Sequence, residues 1–334
     1  MTGSGMSLKR CMFLAAVLIC AASSGQSRAS ERVTLLLNWY LYAEHAPFFL
    51  GKERGYFEKE GIDLDIQEGR GSVPTVQAVA AGTATFGYAD LASILKAADK
   101  GAPVLVAGIL LQKSPMAFIS LTEKNIRKPQ DLRGKSLALT PGDSLSQILP
   151  LVLGKVGMKE SDLTVVAGDN RAKLNAVINA QADAMLGYSM DQNLKIAAAT
   201  QKPVTVLPFA DYGVNLASSS IVVAKDTADK QADLVSRFMR AATRAVADSE
   251  KEPAAAIDAM LKASPKAGAR DDLIEGLKLT IPLYHTKETR ALPPFRASPS
   301  EIKASVSLLA ESGTISQATA GHMDDLISYK FLPN

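Results

Sequence analysis

A chain of 334 residues exceeds one ordinary core and fits two domains of about 100–200 residues each. With 47% hydrophobic and 21% charged residues it can fill a core, and it is neither disordered nor collagen-like. The formal charge of +3 comes wholly from the start: Lys9, Arg10 and Arg28 are the only charged side chains before Ser30, which leaves 34 basic against 34 acidic residues. A neutral remainder gives no electrostatic support to a nucleic-acid or anionic-membrane role. Both cysteines, Cys11 and Cys20, also stand before Ser30. Whatever follows has no thiol chemistry, no disulfide and no cysteine-ligated metal.

Lys9-Arg10, the apolar run 11–22 and the small-residue exit Ser27-Arg28-Ala29 have the layout of a secretory signal. The run is shorter than the roughly 20 residues that span a bilayer. Cleavage is expected after Ala29, with a cut near Ser23 or Ser24 as the rival. A lipoprotein cut at Cys20 would want a small residue before it, and Ile19 is not small. Residues 1–29 are therefore read as a signal peptide, which places the mature protein in the periplasm.

After Ser30 the pattern alternates. Residues 33–37 read as a buried strand, 45–60 as a helix with Pro47 in its first turn and Gly61 as its stop, and 62–66 as a strand with one wet face. Ser72 and Pro74 open a second helix ending at Gly82. Residues 85–88 make a short strand, Asp90 caps a helix closed by Gly101, and 104–111 form a strand without a polar break. This rhythm argues for a mostly parallel sheet covered on both faces. It then restarts. Strands are expected at 117–121, 136–139, 163–167, 184–188 and 204–207, a helical turn at 129–132, and helices at 144–156, interrupted by Pro150, and at 170–180, capped by Asp169. Residues 221–224 make one more strand, and the tail is helical over 228–251, 253–263, 271–283, 300–312 and 323–329. Residues 30–118 plus 220–334 are read as lobe one and 119–219 as lobe two, with 221–224 rejoining the first sheet and the helical tail packing on lobe one. A separate helical domain is the plainer alternative.

Open parallel sheets bind ligands beyond the carboxyl ends of their strands. Those ends carry Asn38-Trp39-Tyr40 with Tyr42, Glu44 and His45 close behind, Gly69-Arg70-Gly71-Ser72, Tyr88 with Asp90, Thr140 to Ser146, Asp169-Asn170, and Tyr188 with Asp191. Flat rings beside hydrogen-bonding groups suit a small, flat or polar ligand. Each has a duller role: Trp39 as core, His45 as a structural histidine, Asp90, Asp143 and Asp169 as N-caps. Ser72 and Ser144 also suit caps, although helix N-termini at a cleft offer N–H groups to an anion.

Enzyme signatures fail on inspection. Gly134-Lys135-Ser136 lacks the glycine of a phosphate loop five positions before the lysine, Gly69-Arg70-Gly71 lacks the third glycine of a dinucleotide loop, and no Gly-x-Ser-x-Gly elbow occurs. His45, His285 and His322 have no paired metal-ligand spacing.

The run Leu37-Asn38-Trp39 to His45, then Gly55-Tyr56-Phe57, Gly61-Ile62-Asp63-Leu64-Asp65-Ile66, Phe86-Gly87-Tyr88, Pro129 to Lys135, Gly187-Tyr188 and Asp211-Tyr212-Gly213-Val214 resembles a known family. It is similar to the substrate-binding proteins of ABC importers for sulfonates and thiamine pyrimidine precursors, a family that also contains the fungal pyrimidine synthase of thiamine biosynthesis. The resemblance implies an α/β, type-II periplasmic-binding-protein fold: two α/β lobes, a two-strand hinge, and ligand closed between them. In the pyrimidine-binding branch a Trp and the His six residues later lie by the ligand, as Trp39 and His45 are spaced. That branch usually has a Glu four residues past the Tyr of its Gly-Tyr element; here the position is Gln192, with Asp191 beside it. The synthase members carry a cysteine-rich motif, which residues 30–334 lack.

The expectation is a monomeric solute-binding protein without catalytic turnover, cofactor or metal. It would take a thiamine pyrimidine precursor or similar nitrogen heterocycle and deliver it to an ABC permease. Trp39 and Tyr88 are expected as ring contacts, His45 as a polar contact, Ser72, Gly142 and Ser144 as donors at helix starts, and Tyr188 and Asp191 as the groups closing the second lobe. A sulfonate such as taurine, or another organic anion served by helix N-termini and Arg70, is the second ligand reading. A pyrimidine-synthase-like enzyme and a sensor domain are the other function classes.

Overall fold

The computed structural model describes residues 30–333; the expected signal peptide at 1–29 lies outside them. Two five-stranded sheets organise the chain. The first is built from β1 (Glu31–Leu36), β2 (Ile62–Gln67), β3 (Phe86–Asp90), β4 (Val104–Ile109) and, much later, β10 (Ser219–Ala224), in the order β2-β1-β3-β10-β4. The second holds β5 (Met116–Leu121), β6 (Ser136–Leu139), β7 (Thr164–Ala167), β8 (Ala184–Tyr188) and β9 (Val204–Pro208), in the order β7-β6-β8-β5-β9. In each sheet one strand opposes the rest. β10 runs antiparallel to β3 and β4, and β5 antiparallel to β8 and β9. These are the first strands after the two passes of backbone between the sheets.

Period-two alternation explains the layers. Along β5, Met116 and Phe118 join the large core shared with the first sheet, while Ala117, Ile119 and Leu121 face a smaller core on the other side. β6 and β8 alternate the same way, with Ala138 and Met185 in the smaller core and Leu137, Leu139 and Leu186 in the larger. Both faces of the second sheet are therefore covered, as a parallel sheet requires.

Helices follow nearly every strand. The expected helix over 45–60 is two pieces, α1 (Ala46–Glu53) and α2 (Tyr56–Lys59), because Gly55 turns left-handed at φ 68° between them. α3 (Ser72–Ala80) and α4 (Leu91–Asp99) complete the first half. α5 (Ser144–Lys155) runs unbroken through Pro150, which sits on its exposed face, where water can satisfy the carbonyl that loses its donor. α6 (Asn170–Ile178) is capped by Asp169, whose carboxylate accepts from the backbone N–H of Arg171 and Ala172. α7 (Gln192–Thr200), which the sequence reading missed, packs on the smaller core through Ile196.

In the tail, α8 (Lys225–Lys230) and α9 (Ala232–Lys251) replace one expected helix. α9 lays Phe238 flat on Phe86 of the first sheet, ring centroids 4.0 Å apart. α10 (Pro253–Ala263) packs on α1, while α11 (Arg270–Thr280) touches both the turn before α1 and α7. α12 (Pro299–Glu311) and α13 (Gln317–Gly321) follow. The expected helix over 323–329 is instead a single 3-10 turn, after which Ile327 bridges Val106 and the Ser328 N–H donates to the Val106 carbonyl. β4 is an edge strand, and its unpaired backbone groups recruit this segment.

One glycine fixes the entrance to the cleft. The Gly69 N–H donates to the Trp39 carbonyl, and a Cβ at Gly69 would lie 1.8 Å from the Leu37 carbonyl oxygen. Gly69→Ala is expected to cost about 1–3 kcal/mol of stability through this overpacking, read from the urea midpoint. An unchanged midpoint would show that the loop holding Trp39 yields freely.

Candidate functional site

The carboxyl ends of the two sheets converge on one cavity. It encloses about 360 Å³ counting its open mouth, and the hydrogen bonds that cross it hold the two walls close together. The segment after β1 delivers Asn38, Trp39 and Tyr42, the segment after β2 delivers Gly71 and Ser72, and β3 ends in Asp90. From the second sheet come Asp143, Ser144 and Leu145 after β6, Lys173 on α6, and Tyr188 and Gln192 after β8.

Asp90 is the centre of the arrangement. Its side chain makes no cap bond to α4 because it serves four hydroxyls instead. Oδ2 accepts from Ser72 Oγ at 2.9 Å, from Tyr188 Oη at 2.6 Å and from Ser144 Oγ, and Oδ1 accepts from Ser218 Oγ. Ser72 and Ser218 flank strands of the first sheet; Ser144 and Tyr188 belong to the second. Asp90 thus ties the two sheets together across the cleft. Burial pushes the Tyr188 hydroxyl far above the usual tyrosine range, and Asp90 and Glu44 nearby add to the shift.

A second tie runs through Tyr40, whose hydroxyl donates to Asp191 Oδ2 at 2.6 Å and accepts from Gln192 Nε2 at 3.2 Å. Gln192 Oε1 in turn accepts the Tyr188 N–H at 2.6 Å. Asp143 caps α5 by accepting the Ser146 N–H at 2.7 Å and pairs with Lys173 Nζ at 3.4 Å. Burial lowers the Lys173 amine while Asp143 resists that shift. The same ammonium stands 5.2 Å from the Trp39 ring centroid, close enough for a cation–π contact.

Behind this lining, reached through Tyr42, lies a buried polar layer. Glu44 is fully buried, and its two carboxyl oxygens accept from Tyr42 and Tyr88, each at 2.5 Å. Desolvation pushes its pKa up to about 7 against the hydrogen bonds that lower it. His45, also fully buried, pairs Nε2 with Asn38 Oδ1 at 2.9 Å and leaves Nδ1 without a partner. Desolvation pulls its pKa down to about 3, with Lys195 adding to the effect.

The structure therefore brings Trp39, Ser72, Ser144 and Tyr188 together around the cavity. Tyr88 and His45 stand one layer behind, Asp191 is held by Tyr40 and Lys195, and exposed Gly142 faces a separate groove beside α3 and α4. Arg70 is exposed and outside the lining. The sequence reading named Asn38, Gly71, Asp90 and Asp143 at strand ends without choosing them. Tyr42 and Leu145 were named there in the same way. It missed Lys173, which lies a full turn inside α6 and whose partner Asp143 comes from the segment after β6, 30 residues earlier. Among the described residues no group of three or more His, Cys, Asp and Glu is placed to hold a metal ion, and no helix is long and apolar enough to cross a membrane.

Two sheets of this order, two backbone passes and one cleft between strand ends define the periplasmic-binding-protein fold. The alkanesulfonate-binding protein SsuA of Xanthomonas axonopodis pv. citri has the same architecture, with TM-score 0.69 at 16% identity over 89% of this chain and 98% of that one. The NMT1/THI5-like family profile matches residues 42–256, and the chain belongs to that family. Its relatives include the 4-amino-5-hydroxymethyl-2-methylpyrimidine phosphate synthase of Legionella pneumophila, 28% identical over 80% of this chain and 81% of the relative. The riboflavin-binding protein RibY of Chloroflexus aurantiacus is 27% identical over 78% of this chain and 74% of the relative.

Proposed function

We propose that the chain is the solute-binding component of an ABC importer, working in the periplasm. It captures a small molecule between its two sheets and presents the closed form to a membrane permease. The observation that carries this reading is the cleft itself: at the cavity its two walls meet through hydrogen bonds, Ser144 and Tyr188 to Asp90 and Tyr40 to Asp191 and Gln192, which exchange for water at small net cost when the walls part. Ligand binding shifts the open–closed balance only as far as the ligand prefers the closed state. The half-buried Trp39 ring beside hydrogen-bonding groups suits a flat nitrogen heterocycle, with a thiamine pyrimidine precursor as the first candidate. Two relatives whose names concern nitrogen heterocycles support that choice.

Lys173 in the wall and the start of α5 favour a second reading, an organic sulfonate or other anion. An enzyme of the pyrimidine-synthase kind is the third. Residues 30–334 contain no cysteine, which weighs against it, and any sustained product formation by the purified protein with iron would overturn the binding-only reading. A thermal-shift screen of heterocycles, sulfonates and amino acids separates the first two. A ligand at a hundredfold excess over its Kd adds about 2.7 kcal/mol, a rise on the order of 5 °C for a chain of this size. A protein whose melting point no compound moves is not a binder of these classes.

A further inference from the structure

We infer that Asp90 decides which ligands the cleft accepts: its carboxyl group fills the place where an anionic ligand would be held, so the site takes neutral or cationic molecules and rejects small organic anions. This rests on the reading of the cleft as a solute-binding site and narrows the class of solute.

Asp90 is 1% exposed and still lines the cavity. Ser72 and Ser144 open α3 and α5, and hydroxyls at helix starts, joined by a tyrosine, are the donors that would clasp the oxygens of a sulfonate or carboxylate. Here those donors are already turned onto Asp90. The protein supplies its own anion.

No basic side chain among the described residues pairs with Asp90; Lys173, the one cation in the lining, is paired with Asp143. Asp90 and Asp143 therefore outnumber Lys173, and an incoming anion meets an uncompensated negative charge. Two like charges about 4 Å apart, at an effective dielectric near 20, repel enough to weaken binding on the order of a thousandfold.

The same knot is complementary to a different edge. Oδ2 of Asp90 gathers three hydroxyls on an oxygen with two lone pairs. The three donors thus share two lone pairs, and Ser144, which also hydrogen-bonds the Tyr188 hydroxyl, can turn instead to an acceptor on the ligand, such as a ring nitrogen. An N–H of the ligand can take the position it vacates on the carboxylate. A ring that offers an acceptor beside a donor fits both changes at once.

The test compares affinities by calorimetry for two sets of probes. One set is 4-amino-5-hydroxymethyl-2-methylpyrimidine and thiamine, neutral and cationic; the other is ethanesulfonate and nitrate. The native protein is expected to bind a member of the first set at least a hundredfold tighter than either anion. Asp90→Asn keeps the size and removes the charge, and it is expected to narrow that ratio at least tenfold. Asp258→Asn removes a carboxylate from the exposed face of α10, outside the cavity lining, so the ratio should hold.

Anion binding by the native protein within tenfold of the heterocycles overturns the inference, and this outcome does not require any variant to fold. An unchanged ratio in a folded Asp90→Asn protein, or an equal change in Asp258→Asn, also overturns it. Binding of no probe in either set would overturn the solute-binding reading, and the inference with it. Anion binding alone would leave that reading standing.

Discussion

Replacing Glu44 by Gln is expected to make the protein lose stability from pH 6.5 downwards, where the native protein holds steady to about pH 4.5. Two buried groups with opposite shifts explain this. Glu44 is raised from 4.5 to about 7, so its contribution is full below pH 4.5 and is lost as pH rises to about 7. His45 is lowered from 6.5 to about 3, so its contribution is full above pH 6.5 and is lost as pH falls to about 3. Between pH 4.5 and 6.5 folding takes up a proton at Glu44 and releases one at His45. The two slopes cancel there.

Without the Glu44 carboxyl only the His45 slope remains, at about 1.4 kcal/mol per pH unit. Over the two units from pH 6.5 to 4.5 the variant should lose on the order of 3 kcal/mol more than the native protein. His45→Gln should show the reverse, gaining on the native protein as the pH falls over that window. Urea midpoints of both variants at pH 7, 5.5 and 4.5, each taken relative to the native protein, read these differences and cancel the titration of every shared group. A Glu44→Gln difference that stays constant with pH would mean the buried layer does not couple to folding as its burial dictates.

Trp39→Ala is expected to weaken binding of a heterocyclic ligand about tenfold to a hundredfold while the fold survives. The ring is half-buried at the cavity wall and carries the Lys173 ammonium on one face. Removing a ring that stacks on a base costs about 1–3 kcal/mol, and Lys173 would also lose its cation–π partner. Because Trp39 is the only tryptophan of the chain, its fluorescence reports on the cleft directly. Ligand addition to the native protein should change that emission with the same midpoint that calorimetry gives. Unchanged affinity in a folded Trp39→Ala protein would place the ligand elsewhere.

The strands, the restart of the pattern after residue 116 and the helical character of most of the tail were legible because hydrophobic periodicity is local, whereas the end of the tail follows the open edge of β4. Val33, Leu35 and Leu37 are 0% exposed, and a run of that kind has one stable use. Caps were legible for the same reason: Asp143 and Asp169 accept backbone N–H groups two or three residues on. Asp90 looked like a third cap, and the same residue type at the same kind of position does something else. Its partners Ser72, Ser144, Tyr188 and Ser218 lie 18 to 128 residues away, and no local rule can see them.

His45 carries the same lesson. Its spacing from Trp39 marked it as a ligand contact, yet the side chain turns inward and braces Asn38, which faces the cavity. What the sequence determined by itself was the succession of strands and helices, the neutral charge and the strand ends where a site belongs, because these follow from nearest neighbours along the chain. The tertiary structure alone decided which of those residues meet. That choice depends on how two sheets close on one another, and a buried carboxyl group takes whichever donors the closure brings within reach.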